Sequence, residues 1–312
     1  MPRFGKGKPM VAQARGALRP FLSLTSRHDA KQAAGIRGSR STGRIHSIGT
    51  FSKYAGALAR AGEWLKDVFG LRQIQEFKLC PALAQQYLAD RAELGIGQKQ
   101  LDCDRVALEF LTGKSSLQRE QALTAAERHC RAYTSAQIAL VISHQSKINA
   151  TRTEIAWRAG LRAHELLTIC RTEDAVASAH RHWRADRFFG RSGARYVVTG
   201  KGGLRREVLL PIDLAERLET YRLDAPRTVK DRGIFYEQYY SLGGGNAWSK
   251  SFSEASFRAL RRSHGAHGLR HTYAQERMLE LQNRSIDYYE ARSIVAQELG
   301  HFRSDVVEVY LR

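Results

Sequence analysis

Several short stretches of this sequence hold side chains that could act on a phosphate. Toward the C-terminal end lie His267-Gly268-Leu269-Arg270, then Leu299-Gly300-His301, then Tyr310 nine residues beyond His301. His267 and Arg270 are three apart, so around a helix N-terminus they face one side, where backbone N–H groups also favour an anion. His301 and Tyr310 would fall on opposite faces of one unbroken helix. Gly300 is a natural terminator and Ser304 a natural N-cap, so a break between them lets His301 end one helix while Tyr310 rides on the next.

Two further stretches supply cations. Arg162 follows a helix-ending Gly160, and Glu165, three residues on, can hold its guanidinium in one orientation. A guanidinium fixed in this way suits a bidentate phosphate contact that lysine cannot imitate. Lys201 stands in Gly200-Lys201-Gly202-Gly203, a turn that can bring a long cationic side chain close to a backbone. Each residue taken singly has a plainer account: a helix-start ion pair for Arg162, a solvated turn lysine for Lys201, a core aromatic beside Val306, Val307 and Leu311 for Tyr310.

The elements that must position these groups follow from periodicity. From Thr50, placed as N-cap, Tyr54, Leu58, Ala61, Leu65 and Val68 recur at helical spacing up to Gly70. Helices over 81–94 and 98–111 complete an all-helical module, bounded as residues 47–113. Residues 114–133 are polar and charged, which suits a linker. A second domain, 134–312, opens at Thr134 or Ser135 with helices near 138–142 and 151–159. The β-rich runs 195–199 and 207–210 around the glycine turn read as a hairpin. Helical signals return at 214–223, 252–262, 269–281, 288–299 and 304–311. The fold class expected is mainly α with a small antiparallel β-sheet, an α+β domain preceded by an all-α one. Residues 1–46, almost free of acids and without apolar periodicity, read as a flexible basic arm.

Composition narrows the partner. The chain of 312 residues has 50 Lys+Arg against 31 Asp+Glu, a net charge of +19, and 43% hydrophobic residues, enough for a core. Such an excess favours a polyanion, first of all nucleic acid. No run of about 18 apolar residues occurs and the first residues lack an apolar stretch, so neither a membrane span nor a secretory signal is indicated and a cytoplasmic protein is expected. Cys80, Cys103, Cys130 and Cys170 are widely separated and read as reduced core thiols. There is no G-x-x-x-x-G-K-[ST] loop and no clear carboxylate cluster for paired Mg²⁺.

In order and spacing, Arg162 in G-L-R-x-x-E-L, Lys201 in T-G-K-G-G, His267 and Arg270 in H-G-L-R-H-T-Y, His301 in L-G-H and the final Tyr310 resemble the tyrosine recombinases, the phage integrase family. The helical module is similar to that family's core-binding, SAM-like domain. The resemblance implies a two-domain DNA clamp that cleaves and rejoins DNA through a 3′-phosphotyrosyl intermediate, without cofactor or metal. It implies Tyr310 as nucleophile, Lys201 as general acid, Arg162 and Arg270 as phosphate clamp, and His267 and His301 for proton transfer or phosphate hydrogen bonds, with His267 preferred over His301 as the base for the tyrosine proton and Glu165 supporting Arg162. Its partners would be double-stranded DNA bearing a specific recombination site, a homotetramer in the synaptic complex, and accessory DNA-bending or directionality proteins, in a nucleoid-associated setting of bacterial or mobile-element origin. Only Leu311 and Arg312 follow Tyr310, whereas many relatives carry a further segment that couples protomers. Two other readings stay open: DNA relaxation like that of a type IB topoisomerase, and a catalytically silent DNA-binding protein.

Overall fold

Ser47, three residues ahead of the expected Thr50, caps the long N-terminal helix, its hydroxyl accepting from the Thr50 backbone N–H at 3.1 Å. The computed structural model describes residues 8–23, 25, 27–37, 41–113, 117–123 and 129–312. It divides into two compact units, Met1–Glu127 and Arg128–Arg312. The first unit contains α1 (Met10–Leu18), α2 (Arg27–Ala33), α3 (Ile48–Phe69), α4 (Glu76–Leu79), α5 (Pro81–Glu93) and α6 (Gln98–Thr112). Leu58 and Leu65 of α3, Tyr87 and Leu88 of α5, and Leu101 and Leu108 of α6 are buried, so the apolar stripes of the three helices face one another. Asp104, buried among them, accepts from Arg60 at 2.9 Å and Gln100 at 2.7 Å.

The flexible arm expected over 1–46 is corrected in part. Met10, Ala14 and Leu18 recur every four residues along α1, and with Ile45 they are buried in the same core; Leu22 pairs with Ile45 through a parallel bridge. One apolar stripe suffices for packing even in an arginine- and glycine-rich stretch. Residues 1–7, 24, 26 and 38–40 of that arm, and residues 114–116 and 124–128 of the expected linker, lie outside the described residues.

The second unit opens with α7 (Ser135–Ser143), whose N-cap Thr134 forms a reciprocal capping box with Gln137. It continues with α8 (Lys147–Arg158), β1 (Cys170–Arg171), β2 (Ala194–Thr199), β3 (Arg205–Leu210) and α9 (Ile212–Glu219). Then come β4 (Arg222–Asp231), β5 (Ile234–Tyr240), α10 (Gly245–Leu260), α11 (Gly268–Gln282) and α12 (Tyr288–Glu298). The strands form two antiparallel sheets, β1-β2-β3 and β4-β5, instead of one. The second hairpin takes the place of the end of the helix expected over 214–223, because α9 stops at Glu219 and Arg222 already pairs with Tyr240. The helix expected over 304–311 is a 3-10 helix, Ser304–Val309. Cys103 and Cys170 are buried, but Cys80 and Cys130 are exposed, so only two of the four are core thiols. Among the described residues no helix is long and apolar enough to cross a membrane.

Candidate active site

The site lies where four chain reversals of the second unit meet: the end of α8, the β2–β3 turn, the N-terminus of α11 and the corner after α12. Gly160 and Gly300 make two of these reversals at φ 59° and 76°, the left-handed region glycine enters without strain. After Gly160 the chain presents Arg162. After Gly300 it presents His301 and then coils into the 3-10 helix that returns Tyr310 to the same place.

The hydrogen bonds are specific. Arg162 Nη1 donates to Glu165 Oε1 at 2.8 Å, and its Nη2 lies 3.3 Å from His301 Nε2. Arg270, fully buried, donates from Nη1 to the Gly160 carbonyl at 2.6 Å, from Nη2 to the Leu299 carbonyl, and from Nε to the Tyr310 hydroxyl at 3.4 Å. Its Nη2 also approaches His301 Nε2 at 3.4 Å, and that nitrogen is 3.3 Å from the Tyr310 hydroxyl. Tyr310 is 6% exposed, its phenol turned inward on these groups, and Gln275 of α11 donates to its backbone carbonyl at 3.0 Å. Arg270 thus ties both glycine corners to the phenol.

Of the six residues singled out by sequence, five converge. His267 joins through its ring, 5.8 Å from that of Tyr310. Lys201 instead lies exposed on the β2–β3 turn. That turn is close by: a Cβ added at Gly200, the residue before it, would stand 3.0 Å from Glu165 Oε1.

Electrostatically the pocket is a surplus of cations around one carboxylate. Burial alone would raise the Glu165 pKa, yet Arg206, Arg270 and Arg162 together hold it well below the usual carboxylate range. Burial, then Arg162, pushes Arg270 down to about 10, so it remains cationic at neutral pH. Burial and the positive field of Arg270 and Arg162 push His301 down to about 4, leaving a neutral imidazole beside the phenol. His267 moves in the same direction for the same causes, burial and then Arg270, although the residue as a whole keeps more contact with solvent than His301, so solvent screens its shift more. Three guanidinium groups around one carboxylate leave a net positive charge, which suits an anion such as a phosphate diester. Among the described residues no group of three or more His, Cys, Asp or Glu side chains is arranged to hold a metal ion.

Two residues of the site were not anticipated from sequence. Arg206, 1% exposed, donates to Glu165 Oε2 at 2.8 Å and to the Glu298 carbonyl at 2.8 Å, joining β3 to both the Arg162 pair and the end of α12. The signal was present: Arg206, Val208 and Leu210 alternate on the buried face of β3. His271, next to Arg270, stacks edge-on to Tyr310 at 4.9 Å between ring centres and is 4% exposed.

This fold is that of the tyrosine recombinases. The chain is similar to XerH site-specific recombinase bound to palindromic difH substrate in a post-cleavage complex, at 16% identity and a TM-score of 0.56, over 100% of this chain and 95% of that one. It is similar to a lambda integrase dimer bound to a COC′ core site, at 14% identity and a TM-score of 0.53, over 92% and 96%. A lambda integrase tetramer bound to a Holliday junction matches with a TM-score of 0.51 at 14% identity, over 98% of this chain and 81% of that one. No family model and no curated protein matches the sequence.

Proposed function

We propose that this protein is a site-specific DNA recombinase or integrase that cuts and rejoins DNA through a 3′-phosphotyrosyl intermediate. The observation that carries the reading is the Tyr310 hydroxyl within 3.4 Å of Arg270 Nε and 3.3 Å of His301 Nε2. A phenol needs a base or a cationic surrounding to act as nucleophile, since its free pKa is about 10. Here it has both, a buried guanidinium and a neutral imidazole.

In the reaction the Tyr310 oxygen bonds to the scissile phosphorus and its proton passes to His301, which the hydrogen-bond geometry favours over His267 as first acceptor. The bond from phosphorus to the 5′ oxygen breaks, and that oxygen takes a proton from Lys201 to leave as a 5′-hydroxyl. Arg162 and Arg270 hold the non-bridging oxygens as charge builds in the pentacoordinate state. Arg270 has its Nε donor, now on Tyr310, and an Nη2 donor, now near His301, to turn toward that phosphate. His267 adds a hydrogen bond from the rim. Attack by the 5′-hydroxyl of a second strand reverses these steps, releasing the phenol and conserving the phosphodiester. The DNA would be a duplex with a specific recombination site, held in a tetramer, and the excess of +19 supports tight backbone binding by both units. Integration or excision of a mobile element is the biological task we infer.

The test is strand transfer. The protein is given a nicked duplex and a second, differently labelled duplex of the same sequence, drawn from a DNA library selected for cleavage. Joining of one label to the other supports a recombinase. Relaxation of a supercoiled circle with no joining between duplexes would instead mark a topoisomerase.

A further inference from the structure

The long connection between β1 and β2 carries a cationic and aromatic cluster that the chemistry above does not use. Arg181 lies over the ring of Phe302, 4.9 Å from guanidinium carbon to ring centre, and Trp183 packs against the same ring at 4.9 Å between centres. Phe302 directly follows His301, so this cluster borders the pocket. The connection is held in place at both ends of the cluster. Ser178 exchanges two hydrogen bonds with Arg205 at 3.0 Å each, which fastens it to the first residue of β3, just past the turn bearing Lys201. Gln297 of α12 clasps the other end, accepting from the Arg184 N–H at 2.7 Å and donating to the His182 carbonyl at 3.2 Å. Trp183 is fixed in turn by its Nε1, which donates to the Ser178 carbonyl at 3.0 Å.

The neighbouring arginines of this connection are already paired, Arg184 with Asp186 and Arg187 with Glu207. Arg181 is exposed and, among the described residues, has no carboxylate partner. A guanidinium stacked on an aromatic face is held in one plane while its N–H edge stays free, the arrangement suited to a phosphate. An unpaired cation seated in this way next to a phosphate pocket is matched by a chain of phosphates.

The geometry points to Arg181, seated on Phe302, as the ligand of a DNA backbone phosphate adjoining the one taken by Arg162, Arg270 and His301. This inference rests on the recombinase reading of the same site. It assigns the β1–β2 connection to holding the strand beside the cut, a contact to the backbone with no demand on base sequence.

The experiment measures affinity for a cleavable duplex over a salt series, for the wild-type chain, Arg181→Ala, Phe302→Leu and the double variant. Arg181→Ala is expected to lower the slope of log affinity against log salt by about 0.9, as when one fewer phosphate is neutralised. Phe302→Leu should weaken binding in the wild-type background and add little in Arg181→Ala. A scan with single neutral methylphosphonates should find one position beside the cut at which wild type loses affinity and Arg181→Ala does not. An unchanged slope for Arg181→Ala, or equal sensitivity of both proteins at every position, overturns the inference and leaves the recombinase reading standing. If wild type forms no covalent adduct on any duplex, the reading itself fails, and the inference with it.

Discussion

Arg206 Nη2 donates to Glu165 Oε2 at 2.8 Å, and neither side chain is more than 1% exposed. A carboxylate buried this deeply persists as an anion only through its partners. Glu165 has three, and Arg206 contributes most to holding it charged. Glu165 in turn orients Arg162, so the strand that follows Lys201 decides how the outer guanidinium is presented.

Breaking that pair should cost stability. Arg206→Ala leaves a buried carboxylate short of a cation and is expected to lower unfolding free energy by about 3–5 kcal/mol in urea titrations. Arg206→Lys keeps the charge but cannot bridge Glu165 and the Glu298 carbonyl with one ammonium, and should recover only part of the loss. Wild-type stability in Arg206→Ala would show that the pair is dispensable.

Glu165→Gln keeps the shape and removes the charge. Arg162 loses its charge-assisted partner, a bond of about 1.5–3 kcal/mol, so cleavage of bound DNA by the folded protein should slow about 10- to 100-fold while affinity changes little. Arg206 and Arg270 lose the same buried anion, so the variant should also unfold more easily. Single-turnover cleavage beside equilibrium binding separates the two effects.

Gly200→Ala tests how closely the β2–β3 turn must approach. Its backbone is ordinary for any residue, at φ −85°, but the new Cβ would sit 3.0 Å from Glu165 Oε1 and 3.8 Å from Arg162 Nη1. Folding should survive, with cleavage about tenfold slower through displacement of the Arg162 pair. A wild-type rate would show that the turn has room to move.

The histidines set a pH dependence of stability. Burial, then nearby cations, holds His271 and His301 at about 4, against about 6.5 for a free imidazole. Between those values the unfolded chain binds protons that the folded chain does not. Their contribution is therefore complete above about pH 6.5 and is lost as pH falls toward 4. His271→Gln removes one such group and should lose about 1–2 kcal/mol less than wild type between pH 7 and pH 5 in urea titrations. Parallel losses in the two proteins would contradict this.

Much of the site was legible because its residues sit at chain reversals, where glycine marks the break. Gly160 and Gly300 announced the corners bearing Arg162 and His301, and the break after Gly300 is what lets residues nine apart share one pocket. Arg206 was not legible because a charged side chain in a strand is ordinarily turned to solvent; only its place in the alternation with Val208 and Leu210 betrays it. The β4–β5 hairpin was missed because Leu214 to Leu223 continues an apolar pattern past the point where α9 ends. In α1 the stripe of Met10, Ala14 and Leu18 was hidden by the basic composition around it.

The mechanism turns on the covalent joining of Tyr310 to DNA. The direct measurement incubates the protein with a duplex nicked beside the cleavage position, so that the leaving fragment diffuses away, and maps the denaturant-resistant adduct by mass spectrometry of nuclease- and protease-treated material. A nucleotide on the peptide containing Tyr310, and no adduct from Tyr310→Phe, is the result predicted. An adduct on another residue, an adduct that survives in Tyr310→Phe, or none from the wild-type protein would contradict the account.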